Sequence, residues 1–320
     1  MAEPEKGNDE SVHERWERRV LERLADSAFK EQRRSRRWGI FFKSLLFIYL
    51  FALLFVAFPD DADKTIATGG HTAVVEVRGV IADATPADAD RIIKGLRRAF
   101  DNDDTKGVVV RINSPGGSPV QAGLIYDEIR RQRDKHPDIP VYAVVEDICA
   151  SGGYYIAAAA DEIYANRASI VGSIGVLMNG FGFVEAMDKL GVERRLLTSG
   201  ENKALLDPFS PVNEANVEHL QGMLDTIHEQ FITAVKEGRG DRLADQPELF
   251  SGLIWTGQEG IDLGLVDGLA DLRHVAREVI GAEEVVDFTP RRNYLEQFAR
   301  QFGGGAAKSL REGLTGPALR

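Results

Sequence analysis

Cys149-Ala150-Ser151-Gly152-Gly153-Tyr154-Tyr155-Ile156, running on into Ala157 to Ala160, is the stretch that decides how this chain is read. The β-branched run Val141 to Ile148 leads into it and predicts a buried strand, with Pro140 at its start. Tyr154 to Ala160 is small and apolar throughout and predicts a helix buried on all sides. A serine at that junction sits at the positive end of the helix, and the glycines after it let a substrate backbone come close. Taken alone, a serine before a helix reads as an N-cap. A nucleophile is the alternative, and the choice depends on the rest of the chain.

Upstream, Ala73 to Val77 alternates and predicts a strand, and Asp83 to Phe100 carries Ile92, Ile93, Leu96, Ala99 and Phe100 at helical spacing. Val108 to Ile112 predicts a strand, Val120 to Arg131 a helix, and Val141 to Ile148 the strand before Ser151. Strands and helices taking turns at this interval imply parallel pairing through right-handed crossovers, an α/β fold. Between the second strand and its helix lies Asn113-Ser114-Pro115-Gly116-Gly117-Ser118. It fits a simple turn. It also fits one half of an oxyanion hole, because active sites in such folds collect where parallel strands end. As a phosphate cradle it lacks both Gly-x-Gly-x-x-Gly and a following Lys-Ser/Thr.

Downstream, Asp161 to Ala165 predicts a strand and Ser169 to Val176 a glycine-rich turn into another. Phe181 to Leu190 predicts a helix and Glu193 to Leu197 a strand. A polar loop, Thr198 to Ala204, carries Lys203. The long helix expected from Asn213 to Lys236 repeats Val217, Leu220, Leu224, Ile227, Phe231 and Val235 every three or four residues. Trp255 to Gly260 reads as a capped helix start.

The N-terminal region differs in kind. Residues 1–37 mix charges of both signs and close on Arg33, Arg34, Arg36 and Arg37. An apolar run from Gly39 to Phe58 follows, interrupted by Lys43 and Ser44 and ended by Pro59 and the acids Asp60, Asp61 and Asp63. About twenty residues match the hydrocarbon core of a bilayer. Arginines before it and acids after it place the N-terminus in the cytoplasm. A cleaved signal peptide fits less well, since the charged region ahead is long and only Thr65-Ile66-Ala67 resembles a cleavage site. Everything beyond residue 60 is then expected in the periplasm, on an inner-membrane anchor.

The whole chain has 320 residues, a net charge of -11 and 43% hydrophobic residues, enough for a substantial core. The acidic balance argues against nucleic acid as a partner. Cys149 is the only cysteine, so no intramolecular disulfide exists, and its apolar setting reads as a packing position.

A serine hydroxyl needs a base to take its proton. The six histidines are His13, His71, His136, His219, His228 and His274, and none lies between residues 137 and 218. His136, His219 and His228 read as surface residues. Lysine remains, and between Ser151 and the long helix the lysines are Lys189 and Lys203. A lysine serves as a base only where burial lowers its pKa from about 10.4 toward 7 or 8. Ala204, Leu205 and Leu206 beside Lys203 are candidates to close such a pocket. An exposed loop lysine is the plainer alternative.

Four blocks in order closely resemble the signal peptide peptidase A family of membrane-bound Ser–Lys proteases, which share the Clp peptidase and crotonase fold. They are Asn113-Ser114-Pro115-Gly116-Gly117, Ala150-Ser151-Gly152-Gly153-Tyr154, Gly172-Ser173-Ile174-Gly175 and Ser199-Gly200-Glu201-Asn202-Lys203. The resemblance runs from roughly Thr72 to Leu269. It implies Ser151 as nucleophile, Lys203 as general base, and the N–H groups of Gly117 and Gly152 as oxyanion hole. Gly116 then shapes the loop, and Ser173 orients the lysine amine. It further implies leftover signal peptides as substrates, a homo-oligomeric ring whose neighbouring subunits contribute to the substrate groove, and neither metal nor cofactor.

The expected organisation is a cytoplasmic tail over 1–38, a transmembrane helix over 39–58 and a linker over 59–71. A protease domain of repeated ββα/βαβ units follows over 72–285, with an amphipathic, flexible tail over 286–320. The alternatives are a crotonase-like acyl-CoA enzyme, expected with glutamates at its site and in the cytoplasm, and a catalytically inactive membrane scaffold.

Overall fold

Strands rich in valine and isoleucine, each followed by an amphipathic helix, have little choice but to pair in parallel, since the helix returns the chain to the same edge of the sheet. The computed structural model describes residue 16 and residues 31–34, 36–51 and 69–290. The chain divides into two compact units, and the sheet belongs to the one spanning Thr65–Tyr294. Its first half runs β1 (His71–Arg78), α1 (Ala89–Phe100), β2 (Thr105–Ser114), α2 (Pro119–Lys135), β3 (Val141–Ala150), α3 (Gly152–Ala157), β4 (Glu162–Ala165) and β5 (Ile170–Gly172). The second half runs α4 (Val184–Leu190), α5 (Glu214–Arg239), β6 (Ile254–Thr256), α6 (Gly257–Asp262), β7 (Gly268–Leu269), a helical segment from Leu272 to Ile280, and β8 (Val285–Asp287).

The strands form one sheet in the order β6-β5-β3-β2-β1-β8, with β4 on β3 and β7 on β4. Every pairing is parallel except that of β5 with β6. The sheet forks at β3. Its first residues, Tyr142 to Val144, pair with β4, and its last, Ile148 to Ala150, pair with β5. That fork carries the end of β5 to the end of β3, where Ser151 follows.

Alternation along the strands sends side chains to opposite faces. Ala73, Val75, Val77, Val108, Val110, Ile112, Ala143 and Val145 pack with Ile92, Leu96, Ile125, Ile129 and Tyr154 from α1, α2 and α3. Fully burying each valine or isoleucine contributes about 1.5–3 kcal/mol. On the other face Val74, Val109 and Val144 pack with Val275. Toward the strand ends that face turns charged, with Arg111 paired to Glu76 and Glu146 and Arg78 to Glu146.

The helices start where capping chemistry directs. Asp88 accepts from Arg91 N at 3.0 Å, so α1 begins at Ala89 and not at Asp83; residues 83–88 form turns instead. Ser118 caps α2 with Pro119 in the first turn. Thr256 and Glu259 form a reciprocal capping box on α6, the helix start expected from Trp255 to Gly260. The far end of α5 is fastened by Arg239, 1% exposed, which donates to Gly264 O at 2.9 Å and to both Asp267 oxygens at 2.6 and 2.9 Å.

Two other expectations need correction. The helix after Ser151 is shorter than Tyr154 to Ala160 suggested: it spans Gly152–Ala157, and Ala158 to Ala160 turn away while staying buried. Glu193 to Leu197 is not a strand. Those residues are exposed and meet no sheet edge, so their backbone has no ladder to join.

Of the expected membrane span, residues 39–51 are described, and they are helical. Trp38 stacks on Phe42 at 5.6 Å, with Phe41 edge-on to Trp38 at 5.7 Å. Among the described residues no helix is long and apolar enough to cross a membrane; residues 52–58 lie outside them, as do the linker to residue 68 and the tail from 291.

Candidate active site

Three parallel strands, β2, β3 and β5, end side by side, because Ser114 pairs with Cys149 and Ala150 with Gly172. One residue beyond β3, Ser151 adopts φ 52 and ψ -122. A non-glycine residue held there costs about 1–3 kcal/mol, and such strain persists only where surroundings enforce it. The enforcement is visible: Ser151 N donates to Gly172 O at 2.8 Å, and Tyr155 N donates to Ser151 O at 2.9 Å. The backbone is tied on both sides, whereas the hydroxyl makes no capping bond to α3. Ser151 therefore holds the N-cap position through its backbone alone, and its Oγ makes no capping bond.

The Ser114–Ser118 loop lies directly against this turn. Gly116 has φ 99 and Gly117 φ 153, conformations that favour glycine. A Cβ on Gly116 would fall 2.7 Å from Ser151 Cβ and 2.8 Å from Gly152 N. A Cβ on Gly152 would fall 3.4 Å from Gly117 N. The loop is braced from behind by Ile81, whose N donates to Gly116 O at 2.9 Å and whose O accepts from Ser118 N at 2.7 Å. Ser114 Oγ accepts from Gly116 N at 3.1 Å. Among the described hydrogen bonds none uses the N–H of Gly117 or of Gly152. Two unpaired donors beside an uncapped hydroxyl are the components an oxyanion hole requires.

Ser173 stands one residue past β5, as Ser151 stands past β3. It too is strained, at φ 52, and its N donates to Leu253 O at 2.7 Å.

Lys203 is placed differently. It sits in a turn closed by its own N–H to Gly200 O at 3.2 Å, and its side chain is exposed. None of the described contacts joins it to Ser151, and Leu205 and Leu206 beside it are exposed rather than closed over it. The segment that carries it, residues 176–213, is zipped to itself. Phe183 N donates to Pro208 O at 2.7 Å, Phe183 stacks on Phe209 at 5.5 Å, and Arg194 pairs with Asp207 while lying 5.4 Å over the Phe209 ring. Hydrogen bonds from Arg194 and Ser210 hold the Asp207 carboxyl below its ordinary pKa. Outward, this arm presents Leu177, Phe181, Leu190 and Leu197 at 79, 83, 78 and 97% exposure.

Cys149 is fully buried, and burial pushes its thiol pKa up, so it packs rather than reacts. His219 is exposed as expected. His228 is not a surface residue: it is half-buried, with Nε2 3.1 Å from Ile174 O. The sequence held a signal for this, since 228 follows Leu224 by four and precedes Phe231 by three, on the apolar side of α5. The bracing role of Ile81 had no such signal, being made by backbone alone. Among the described residues no group of three His, Cys, Asp or Glu side chains is placed to hold a metal ion.

The model of Peptidase family S49 matches residues 133–285, which include Ser151, Ser173 and Lys203. The chain is 34% identical over 220 residues to the protease candidate slr0021 of Synechocystis sp., covering 68% of this chain and 77% of that one. It is 29% identical over 225 residues to a signal peptide peptidase candidate, SppA, of Enterococcus faecium, covering 67% and 65%. It is also 50% identical over 186 residues to the Na(+)/H(+) antiporter NhaA of Brucella abortus, where the match covers 58% of this chain and spans only a quarter, 25%, of that protein.

Proposed function

The chain belongs to peptidase family S49, the signal peptide peptidase A family, and on that basis we propose that it is a serine-type endopeptidase using Ser151 and Lys203. The observation that carries the proposal is the junction at Ser151: a strained turn, an uncapped hydroxyl, and the unpaired N–H groups of Gly117 and Gly152 packed against it. The fold proposed is the Clp/crotonase type.

In this reaction Ser151 Oγ attacks the scissile carbonyl carbon while its proton passes to the Lys203 amine. The carbonyl oxygen gains charge and takes hydrogen bonds from Gly117 and Gly152, each such donor being worth about 3 kcal/mol in comparable sites. Lys203 returns the proton to the leaving amine as the C–N bond breaks. Water, deprotonated by the same lysine, then releases the acyl group from Ser151. Ser173 positions the lysine amine.

The exposed arm bears on where Lys203 acts. Apolar surface of this extent on one segment marks an interaction site. We assign it to a second copy of the chain, so that ring assembly buries the arm and dries the site. The substrates proposed are apolar peptides, remnant signal peptides foremost, met outside the cytoplasm by a domain tethered through residues 39–58. Replacing Ser151 or Lys203 with alanine should abolish cleavage of an apolar peptide while the thermal midpoint stays within a few degrees; near-normal turnover by Lys203→Ala would overturn the dyad.

A further inference from the structure

The chain leaves the sheet after β5 as the arm that bears Lys203, and it returns as α5. Among the described hydrogen bonds, the one from His228 Nε2 to Ile174 O at 3.1 Å joins the two legs at their base. We propose that His228 is a positioning residue that pins the Ser173-Ile174 turn to α5 and so sets where the arm departs. This inference rests on the protease reading above, for which it supplies a residue outside the recognised motifs.

The turn needs such a pin. Gly172 and Ser173 both have positive φ, 99 and 52, and the serine pays for that conformation in strain. Every contact around the turn is tight. Gly172 O accepts from Ser151 N, and a Cβ on Gly172 would lie 2.7 Å from the Trp255 ring. Ser173 N is held by Leu253 O at 2.7 Å, and the Ile174 side chain is fully buried. A Cβ on Gly175 would lie 3.1 Å from Gly252 Cα. Directly beyond, Leu177 and Met178 are exposed. Among the described hydrogen bonds the next one downstream of the turn is Phe183 N to Pro208 O, already inside the arm. Ile174 O is thus the last fastening before the excursion, and His228 is its only described donor.

The other end of the contact is firm. Three residues after His228 the helix enters the core at Phe231, followed by Ala234, Val235 and Arg239. Toward its start α5 carries exposed Val217 and Met223. His228 therefore stands where the anchored half of α5 meets the free half.

A carbonyl only accepts, so Nε2 must carry a proton, which both the neutral Nε2–H tautomer and the imidazolium provide. His228 touches backbone and no reacting atom, so its effect on turnover passes through Ser173 and the direction of the arm. A glutamine amide reaches a similar point and also donates, whereas leucine fills the space without donating.

The test compares His228→Gln with His228→Leu in the full chain, reading amide hydrogen exchange over residues 172–178 and kcat and KM on an apolar peptide. Losing one hydrogen bond should lower kcat roughly tenfold in the leucine variant and leave KM within about twofold, with faster exchange confined to the turn and the arm. The glutamine variant should recover both to within about threefold. A leucine variant with unchanged kcat and exchange, or a glutamine variant as impaired as leucine, would overturn the proposal. If leucine prevents folding, His228→Asn, whose shorter amide falls short of the carbonyl, takes its place with the same expectations. Continued cleavage by Ser151→Ala would instead sink the protease reading, while the exchange comparison would still judge the His228 contact.

Discussion

Gly116→Ala isolates the proposed oxyanion loop with a single methyl group. The new Cβ would stand 2.7 Å from Ser151 Cβ, 2.8 Å from Gly152 N and 2.9 Å from Ala150 O, two of them backbone atoms that cannot swing aside. Relief to ordinary contact at 3.4 Å requires the loop to withdraw by about 0.7 Å. A donor set about 2.9 Å from an oxyanion would then stand at about 3.6 Å, where a hydrogen bond no longer forms. Loss of one such donor costs about 10²-fold or more in kcat. The substrate's remaining contacts are untouched, so KM should stay within about threefold. Alanine at φ 99 adds backbone strain of about 1–3 kcal/mol, lowering the thermal midpoint by several degrees. Gly123→Ala is the matched control. Gly123 lies in α2 with nothing within 4 Å of its would-be Cβ, so alanine should stabilise by up to about 1 kcal/mol and leave kcat alone. Peptide turnover and thermal unfolding of both variants decide the matter. Gly116→Ala turning over within about threefold of the parent would refute the placement of Gly117 N–H in the site.

Glu128 and Cys149 offer two further checks away from the loop. Burial alone would raise the Glu128 carboxyl, but hydrogen bonds from Arg97, Arg131 and Gln132 outweigh it and hold the pKa at about 2. A carboxyl depressed in the folded state stabilises above its ordinary value and loses that contribution as pH falls, so Glu128→Gln should cost about 1–2 kcal/mol by urea unfolding at neutral pH, shrinking steadily below about pH 4. A pH-independent difference would contradict this. Cys149, buried with its thiol pKa raised, should resist iodoacetamide until the protein is unfolded, and Cys149→Ala should keep full turnover; rapid labelling of native protein would show the β3 terminus to be open.

Much of the fold was legible because long, regular segments carry enough residues to display a period. β1, β2, β3, α2 and α5 all appear where alternation or 3–4 spacing places them. The fork at β3 was not legible, since β4 and β5 are four and three residues long and too short to declare a partner. Glu193 to Leu197 misled for the opposite reason: its composition suits a strand, but strand formation needs an edge, and an edge is a tertiary fact. At the site, residue types pointed to Ser151 and to the glycine loop. The turn at Ser151 was hidden, because a serine at φ 52 is set by Gly172 O, Tyr155 N and the loop around it, none of them adjacent in sequence to both sides of the turn. Lys203 was singled out by the lack of a histidine between residues 137 and 218 and by the family resemblance, yet its surroundings in one chain are solvent. In the ring proposed above, the surface that would desolvate this exposed arm belongs to a second copy, beyond the reach of one chain's sequence pattern.

Fluorophosphonate labelling of the full chain, with the modified peptide located by mass spectrometry, tests the Ser151–Lys203 pairing most directly. Label should appear on Ser151 in the parent protein and fall at least a hundredfold in rate in Lys203→Met, which keeps the length of the side chain and removes the amine, consistent with general-base contributions of about 10²–10⁴. Labelling of Ser151 at the parent rate in Lys203→Met, or labelling of another serine, would contradict it.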